Sequence, residues 1–185
     1  MGFHTYDPEN ADRLEDAAFR YRHCSVEELL GPLPVGETVV DLGSGTGFYT
    51  DDVARRAGRV YAVDVQEAMH DTYREKGVPE NVDLVTADAA DLPLPDGEAA
   101  AVVSTMTYHE FYGAAALFEL RRVVGPGGRL VVADWSARGA GESGPPTDER
   151  YGPDEVRGHF DAADLTVERL DDRPETWFLV ARVPE

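Results

Sequence analysis

Short apolar runs alternate with amphipathic segments along this chain. The apolar runs predict strands, because an unbroken series of buried side chains between turn residues is typical of a sheet interior. They cover residues 38–42, 59–63, 82–86, 99–104, 129–133, 165–170 and 176–183. Segments with an apolar side chain at every third or fourth position predict helices. They cover residues 8–22, 25–31, 48–57, 66–76, 114–124 and 152–162.

Strands that alternate with helices favour a doubly wound, mostly parallel sheet, because each parallel connection needs a crossover segment. The last two strands are joined by the short turn 171–174 and predict an antiparallel hairpin. The glycine- and proline-rich segment 137–150 is expected to be a loop. We therefore expect a single α/β domain of 185 residues. It has a seven-stranded Rossmann-like sheet, a C-terminal antiparallel strand and N-terminal helices.

A glycine-rich turn joins the first predicted strand to the following helix. Gly43, Gly45 and Gly47 occupy alternate positions shortly after Asp41. Glycine tolerates positive φ and lets a ligand approach the backbone, and a helix N-terminus presents unpaired N–H groups. The dinucleotide pattern G-x-G-x-x-G would need a glycine where Phe48 stands, and a P-loop would need a Lys-Ser/Thr pair that is absent. The turn therefore indicates another class of nucleotide-type site.

Further polar residues follow the other predicted strands. Ligands in open α/β sheets bind beyond the carboxyl ends of the strands. Asp64 ends the second strand, where a carboxylate can accept hydrogen bonds from ribose hydroxyls, and Asp88 follows the third. Ser104 ends the fourth strand, and His109 lies in the segment after it. We expect these side chains to meet at one edge of the sheet.

These motifs resemble the class I S-adenosylmethionine-dependent methyltransferases over residues 36–135. The resemblance is carried by Asp41–Gly47, by Asp64, by Asp88–Gly97 (DAADLPLPDG) and by Glu119–Trp135 (ELRRVVGPGGRLVVADW). It implies S-adenosylmethionine as cofactor and S-adenosylhomocysteine as product. The cofactor-binding residues that it implies are Asp41, Gly43, Ser44, Gly45, Gly47, Asp64, Val65, Asp88, Ala89 and Ser104.

The resemblance also divides the single domain, 1–185, into parts. It implies a cofactor-binding core over 36–135, N-terminal helices over 1–35, and a substrate-side loop, helix and hairpin over 136–185. The N-terminal helices are expected either to cover the site, through His4, Tyr6, Tyr21 and Arg22, or to pack on the sheet edge. Residues 4–22 and the segment Gly144-Pro145-Pro146…Arg150 are loosely similar to quinone-biosynthesis methyltransferases, which implies a small-molecule acceptor.

The sulfonium of such a cofactor is an activated methyl donor, so transfer is an in-line displacement that depends mainly on alignment. If the acceptor is a hydroxyl or an amine, a base that removes its proton would help. His109 has a suitable pKa range for that role and is the candidate catalytic residue; the alternative is a residue that packs or hydrogen-bonds locally. Trp135 is expected either to line an acceptor pocket or to lie in the core.

Two other functions are compatible with the same motifs. One is a non-catalytic S-adenosylmethionine-binding module that acts with a partner protein. The other is an NAD-dependent oxidoreductase, which the failed G-x-G-x-x-G pattern and the second acid, Asp88, disfavour.

Acidic residues dominate the charge of the chain. There are 36 Asp and Glu against 17 Lys and Arg, a net charge of −19, and Lys76 is the only lysine. This charge repels nucleic-acid phosphates, so no nucleic acid is expected as a partner; a local basic patch at Arg55, Arg56 and Arg59 points the other way. An acidic, lysine-poor composition also resembles that of proteins from salt-loving microbes, and we expect a halophilic source.

The remaining features concern location and metals. Residues 1–10 are polar and no apolar run is long enough to span a membrane, which predicts a cytoplasmic protein without a membrane partner. Cys24 is the only cysteine, which excludes an internal disulfide and a cysteine-cluster metal site. No metal is expected.

The net charge of −19 predicts that potassium chloride stabilises the fold. Self-repulsion opposes the compact state, and the Debye length falls from about 10 Å at 0.1 M salt to about 3 Å at 1 M. The midpoint of thermal unfolding is expected to rise between about 0.1 M and 1 M potassium chloride. The rise should exceed the one that sucrose, an uncharged control, produces at equal osmolality. A midpoint that is constant or falls with salt would contradict this prediction.

Overall fold

A seven-stranded sheet forms the centre of the computed structural model, which describes residues 6–185. The order of the strands is β3-β2-β1-β4-β5-β7-β6. They are β1 (Thr38–Leu42), β2 (Arg59–Asp64), β3 (Val82–Thr86), β4 (Ala99–Thr105), β5 (Val124–Trp135), β6 (Thr166–Asp172) and β7 (Thr176–Arg182). Neighbouring strands pair in parallel, except that β7 is antiparallel to both β5 and β6. The predicted Rossmann-like sheet with a C-terminal antiparallel strand is confirmed, and β7 lies inside the sheet rather than at its edge.

Helices precede and connect the strands. They are a 3₁₀ helix (Pro8–Glu15), α1 (Ala17–His23), α2 (Val26–Leu30), α3 (Phe48–Ala54), α4 (Glu67–Lys76), α5 (Tyr108–Phe111), α6 (Ala114–Val123), a 3₁₀ turn (Thr147–Glu149) and α7 (Pro153–Ala162). Within residues 6–185, none of them is long and apolar enough to cross a membrane.

Both faces of the central strands are buried, which explains their unbroken apolar sequences. Val39 and Val40 are adjacent in β1 and are fully buried, yet they belong to different core clusters, one on each face of the sheet. Side chains alternate between the faces of a strand, so a sheet covered by helices on both sides needs apolar residues at every position.

The N-terminal prediction needs a correction. The single helix expected over residues 8–22 is a 3₁₀ helix followed by α1, with a break at Asp16. Asp16 has an extended backbone, and its carboxylate accepts a hydrogen bond from the N–H of Phe19 at 3.0 Å. The aspartate therefore caps a new helix instead of continuing the first one, as short polar side chains do at helix starts.

Most other bounds differ from the predicted ones by three residues or fewer, and the larger differences are an unpredicted helix and the start of β5. The short helix α5 was not predicted, because four residues carry too little periodic signal. Strand β5 begins at Val124 rather than at residue 129, because Val124 already pairs with Ala99 of β4, ahead of a shift in register.

The predicted loop 137–150 is held by a buried arginine. The guanidinium of Arg150 donates to the carbonyls of Ser143, Pro145 and Ser136. The same group lies 5.5 Å from the ring centroid of Trp135. Trp135 also packs against His23 of α1, at 4.9 Å between centroids. Trp135 thus joins the loop to the N-terminal helices, and it does not line the cavity at the carboxyl ends of the strands.

Candidate active site

A cavity of about 460 Å³ lies at the carboxyl ends of β1, β2, β3 and β4. Its walls come from the glycine turn after β1, the ends of β2 and β3, the segment after β4, and the N-terminal residues. Parallel strands place their carboxyl ends at one edge of the sheet, so residues far apart in the chain meet there. Gly43, Ser44, Gly45, Asp64, Val65, Asp88 and Ala89 are the predicted site residues that line it.

The glycines of the turn have left-handed backbone, with φ of +72° at Gly43, +54° at Gly45 and +81° at Gly47. A Cβ at Gly43 would lie 2.4 Å from the Thr107 side chain, and one at Gly47 would lie 2.2 Å from the ring of Tyr73. Gly43 and Gly45 face the cavity, whereas Gly47 lies outside its walls. The structure therefore gives Gly47 a packing role against α4, and its direct contact with the cofactor stays a prediction.

Asp64 fixes the turn to the end of β2. Its carboxylate accepts from the N–H of Gly45 at 2.8 Å and from the N–H of Gln66 at 2.9 Å. A carboxylate has about four acceptor positions, so it can still accept from a ligand. Val65, which follows, is half exposed and lines the cavity beside it.

Asp88 and Ala89 lie on the cavity wall after β3. The carboxylate of Asp88 is exposed and accepts from the N–H of Ala90 at 2.8 Å. This local bond fixes the direction of the side chain at the mouth of the cavity.

Asp41 and Ser104 lie behind the wall. Asp41 is fully buried and accepts from the hydroxyl of Thr50 at 2.6 Å, and burial raises its pKa to about 6. Ser104 is fully buried, and its neighbour Thr105 lines the cavity instead. Successive side chains of a strand point to opposite faces, so the residue that ends the apolar run need not be the one that faces the ligand. Neither side chain lines the cavity, and direct contact of either one with the cofactor stays a prediction.

The N-terminal segment forms part of the cavity wall through Tyr6, Leu14 and Arg20. Glu15 accepts a hydrogen bond from Thr46 of the glycine turn and forms an ion pair with Lys76 at 3.2 Å. Of the residues expected to cover the site, Tyr6 does line it. Tyr21 instead donates to Asp52 at 2.8 Å, Arg22 is outside the walls, and His4 lies outside the described residues.

Arg20 is a site residue that the sequence did not reveal. Its guanidinium lies 4.8 Å from the ring centroid of Tyr49 and 5.6 Å from that of Phe48. Its Nε is buried without a hydrogen-bond partner among the described residues, and burial lowers its pKa. A buried guanidinium with an unused donor, beside a glycine turn, is suited to a ligand carboxylate.

His109 is held by Asp134 of β5. The Asp134 carboxylate accepts from the backbone N–H of His109 at 2.6 Å and lies 3.0 Å from its Nδ1. Burial alone would lower the pKa of His109, but the attraction and hydrogen bond of Asp134 outweigh it and raise the pKa. His109 is outside the cavity walls, whereas its neighbour Glu110 lines them. This placement argues against direct contact between His109 and an acceptor.

The part of the cavity beside α5 and α6 is mostly apolar. Phe111, Tyr112, Gly113, Ala115 and Ala116 contribute to it, together with Glu110. The ring of Tyr112 stacks on His159 of α7 at 3.7 Å between centroids, and the Tyr108 hydroxyl lies 3.1 Å from the Nδ1 of the same histidine. The aromatic wall is therefore rigidly supported from α7.

Comparison with known proteins agrees with this architecture. The family model described as "Methyltransferase domain" matches residues 40–132, half of the chain. The chain is 38% identical over 108 residues to the demethylmenaquinone methyltransferase of Corynebacterium kroppenstedtii, covering 58% of this chain and 45% of that protein. It is 37% identical over 109 residues to the ubiquinone/menaquinone biosynthesis C-methyltransferase UbiE of Escherichia coli, covering 55% and 43%. The chain thus spans less than half the length of these curated relatives.

A solved structure matches over nearly the whole chain. The crystal structure of a SAM-dependent methyltransferase from Aquifex aeolicus superposes with a TM-score of 0.88 at 30% identity, covering 97% of this chain and 100% of that one.

Replacing Gly47 with alanine is expected to destabilise the fold more than the same change at Gly36. Both residues have similar positive φ, +81° and +76°, which costs about 1–2 kcal/mol for alanine. A Cβ at Gly36 meets nothing within 4 Å, whereas one at Gly47 overlaps the buried ring of Tyr73. Urea unfolding is expected to show an additional loss of about 1–3 kcal/mol for Gly47→Ala. Equal losses would contradict the packing role of Gly47.

Proposed function

Because this chain belongs to the S-adenosylmethionine-dependent methyltransferases and S-adenosylmethionine is its cofactor, we propose that it transfers the methyl group to a small-molecule acceptor. The observation that carries the proposal is the division of one cavity into a polar part at the glycine turn and an apolar, aromatic part beside α5 and α6. The first part suits the cofactor and the second suits an acceptor that meets it inside the cavity.

The residues of the polar part fit the cofactor. Asp64 at the end of β2 would accept from the ribose hydroxyls, and Asp88 with the backbone of Ala89 would face the adenine. The backbone at Gly43 and Gly45 would pack against the amino-acid portion. The unpartnered Nε of Arg20 supports this fit, since a buried donor without a partner calls for a ligand acceptor.

The walls of the apolar part favour a planar acceptor. Phe111 and Tyr112 present aromatic side chains, and Gly113 and Ala115 leave room beside them. Aromatic rings stack on such walls in offset or edge-to-face arrangements. One relative is named a demethylmenaquinone methyltransferase and another a ubiquinone/menaquinone biosynthesis C-methyltransferase, which supports an aromatic ring as the acceptor.

The bound cofactor supplies a methyl group already activated by a sulfonium. What the protein adds is alignment and exclusion of water. Correct orientation of two reactants contributes roughly 7–11 kcal/mol. The N-terminal segment supports such a role, because Tyr6 and Leu14 contribute to the cavity wall.

Arg20→Met is expected to weaken binding of S-adenosylmethionine about 10- to 150-fold, the loss of a charge-assisted hydrogen bond worth about 1.5–3 kcal/mol. Decarboxylated S-adenosylmethionine lacks the group that Arg20 would bind, so its affinity is expected to change little. Titration calorimetry with both ligands makes the comparison. An equal loss of affinity for the two ligands would show that the substitution acts on the fold rather than on a carboxylate contact.

The proposed reaction is tested by following radiolabelled methyl transfer from S-adenosylmethionine to a panel of small acceptors. The panel contains prenylated 1,4-naphthoquinols, simple phenols and amines, with an RNA pool and a protein extract as controls. Label is expected in a small aromatic acceptor and in neither macromolecular pool. Binding of the cofactor without transfer to any acceptor would favour the non-catalytic binding module. Competition by NAD would favour the oxidoreductase.

A further inference from the structure

Glu110 is the acidic side chain in the apolar part of the cavity wall. The other two carboxylates on the wall, Asp64 and Asp88, lie at the ends of β2 and β3 and accept from neighbouring backbone amides. Glu110 lies in α5 directly before Phe111, and its side chain is only 16% exposed. The backbone N–H of Tyr6 donates to it from the N-terminal segment. A carboxylate is thus held where the acceptor is proposed to bind.

A histidine–aspartate pair supports this carboxylate from behind. The Nδ1 of His109 faces Asp134 at 3.0 Å, so its Nε2 points to the opposite side, 3.7 Å from the Oε1 of Glu110. The Asp134 side chain is 1% exposed and also accepts from the N–H of Trp135. Asp134 therefore fixes the ring of His109 and favours its cationic form. The three groups form a chain from the core of the sheet to the cavity.

We propose that Glu110 accepts the proton of the methyl acceptor. His109 and Asp134 position the Glu110 carboxylate, and the positive charge of the bound methyl donor keeps this carboxylate ionised. The proposal rests on the proposed function. In the step, the acceptor X–H gives its proton to the Glu110 carboxylate as an X–CH₃ bond forms and the S–CH₃ bond breaks. The products are the methylated acceptor, a neutral thioether and protonated Glu110, so charge and atoms balance.

The surroundings of Glu110 allow its protonation state to change when the methyl donor binds. Burial raises its pKa to about 7, while the attraction of His109 and the Tyr6 N–H act to lower it and the charges of Asp134 and Asp64 act to raise it. Near neutral pH the carboxyl group is therefore about half protonated without ligand. A nearby sulfonium stabilises the anion and lowers this pKa. Binding of the methyl donor is then coupled to release of a proton, and its affinity rises with pH.

The test compares S-adenosylmethionine with S-adenosylhomocysteine, which lacks the methyl group and the charge. Titration calorimetry at pH 7 in two buffers of different ionisation enthalpy gives the number of protons released. Release of about half a proton per bound S-adenosylmethionine is expected, since a carboxyl group with a pKa of about 7 is half protonated at pH 7. Clearly less release is expected with S-adenosylhomocysteine. Glu110→Gln is expected to abolish the difference, whereas the exposed control Glu75→Gln is expected to retain it. The same difference in Glu110→Gln would overturn the proposal.

Turnover supplies a second readout, with the acceptor that the labelling panel identifies. Glu110→Gln is expected to lower kcat about 100-fold or more and to remove the rise of kcat/KM around pH 7. His109→Gln removes a cation beside Glu110, so its rate profile is expected to shift to higher pH. Cofactor binding without any methyl transfer would contradict the proposed function. Unchanged turnover in Glu110→Gln would contradict only the role of Glu110.

Discussion

The backbone path between β1 and α3 is the constraint on which the site depends. Gly43, Gly45 and Gly47 all have positive φ, and each faces a different neighbour. The Gly45 N–H donates to Asp64, so the turn is fastened to the end of β2. Behind the turn, the buried Asp41 accepts from Thr50 in the first part of α3. A side chain at Gly43 or Gly47 would displace Thr107 or Tyr73, and the cavity floor would move with it.

Charge is distributed unevenly within the cavity although the chain as a whole is strongly acidic. Among the cavity-wall residues within 6–185, Arg20 is the only lysine or arginine, and its guanidinium stacks on aromatic rings beside the glycine turn. Asp64, Asp88 and Glu110 are the acids. Electrostatic interactions inside the cavity are stronger than in water, because the local dielectric constant is low. Arg20 lies where the cofactor carboxylate is proposed to bind, and Glu110 lies where the acceptor is proposed to bind. Ligand binding and proton transfer are therefore assigned to different residues.

Much of the fold followed from periodicity alone. The bounds of β1 and β3 agree with the predicted ones, and α2 lies within the predicted range 25–31. Site residues that follow strands directly, such as Asp64 and Asp88, also reached the cavity as expected. Two other predicted site residues lie outside the cavity wall, and their placements share a physical cause. Ser104 and His109 were chosen by their place in the sequence, but strand alternation and the Asp134 contact turned their side chains away from the cavity.

The sequence by itself determined the sheet, the glycine turn, the methyltransferase family and the acids at the strand ends. These features are local, since they depend on side-chain period, on glycine conformation and on residues next to strand ends. Only the tertiary structure decided that Arg20 enters the cavity and that Glu110, rather than His109, faces it. Those outcomes arise from contacts between distant segments, such as the hydroxyl of Tyr49 with the carbonyl of Arg20 and the carboxylate of Asp134 with His109. No local pattern encodes them, because they depend on where the folded chain brings its segments together.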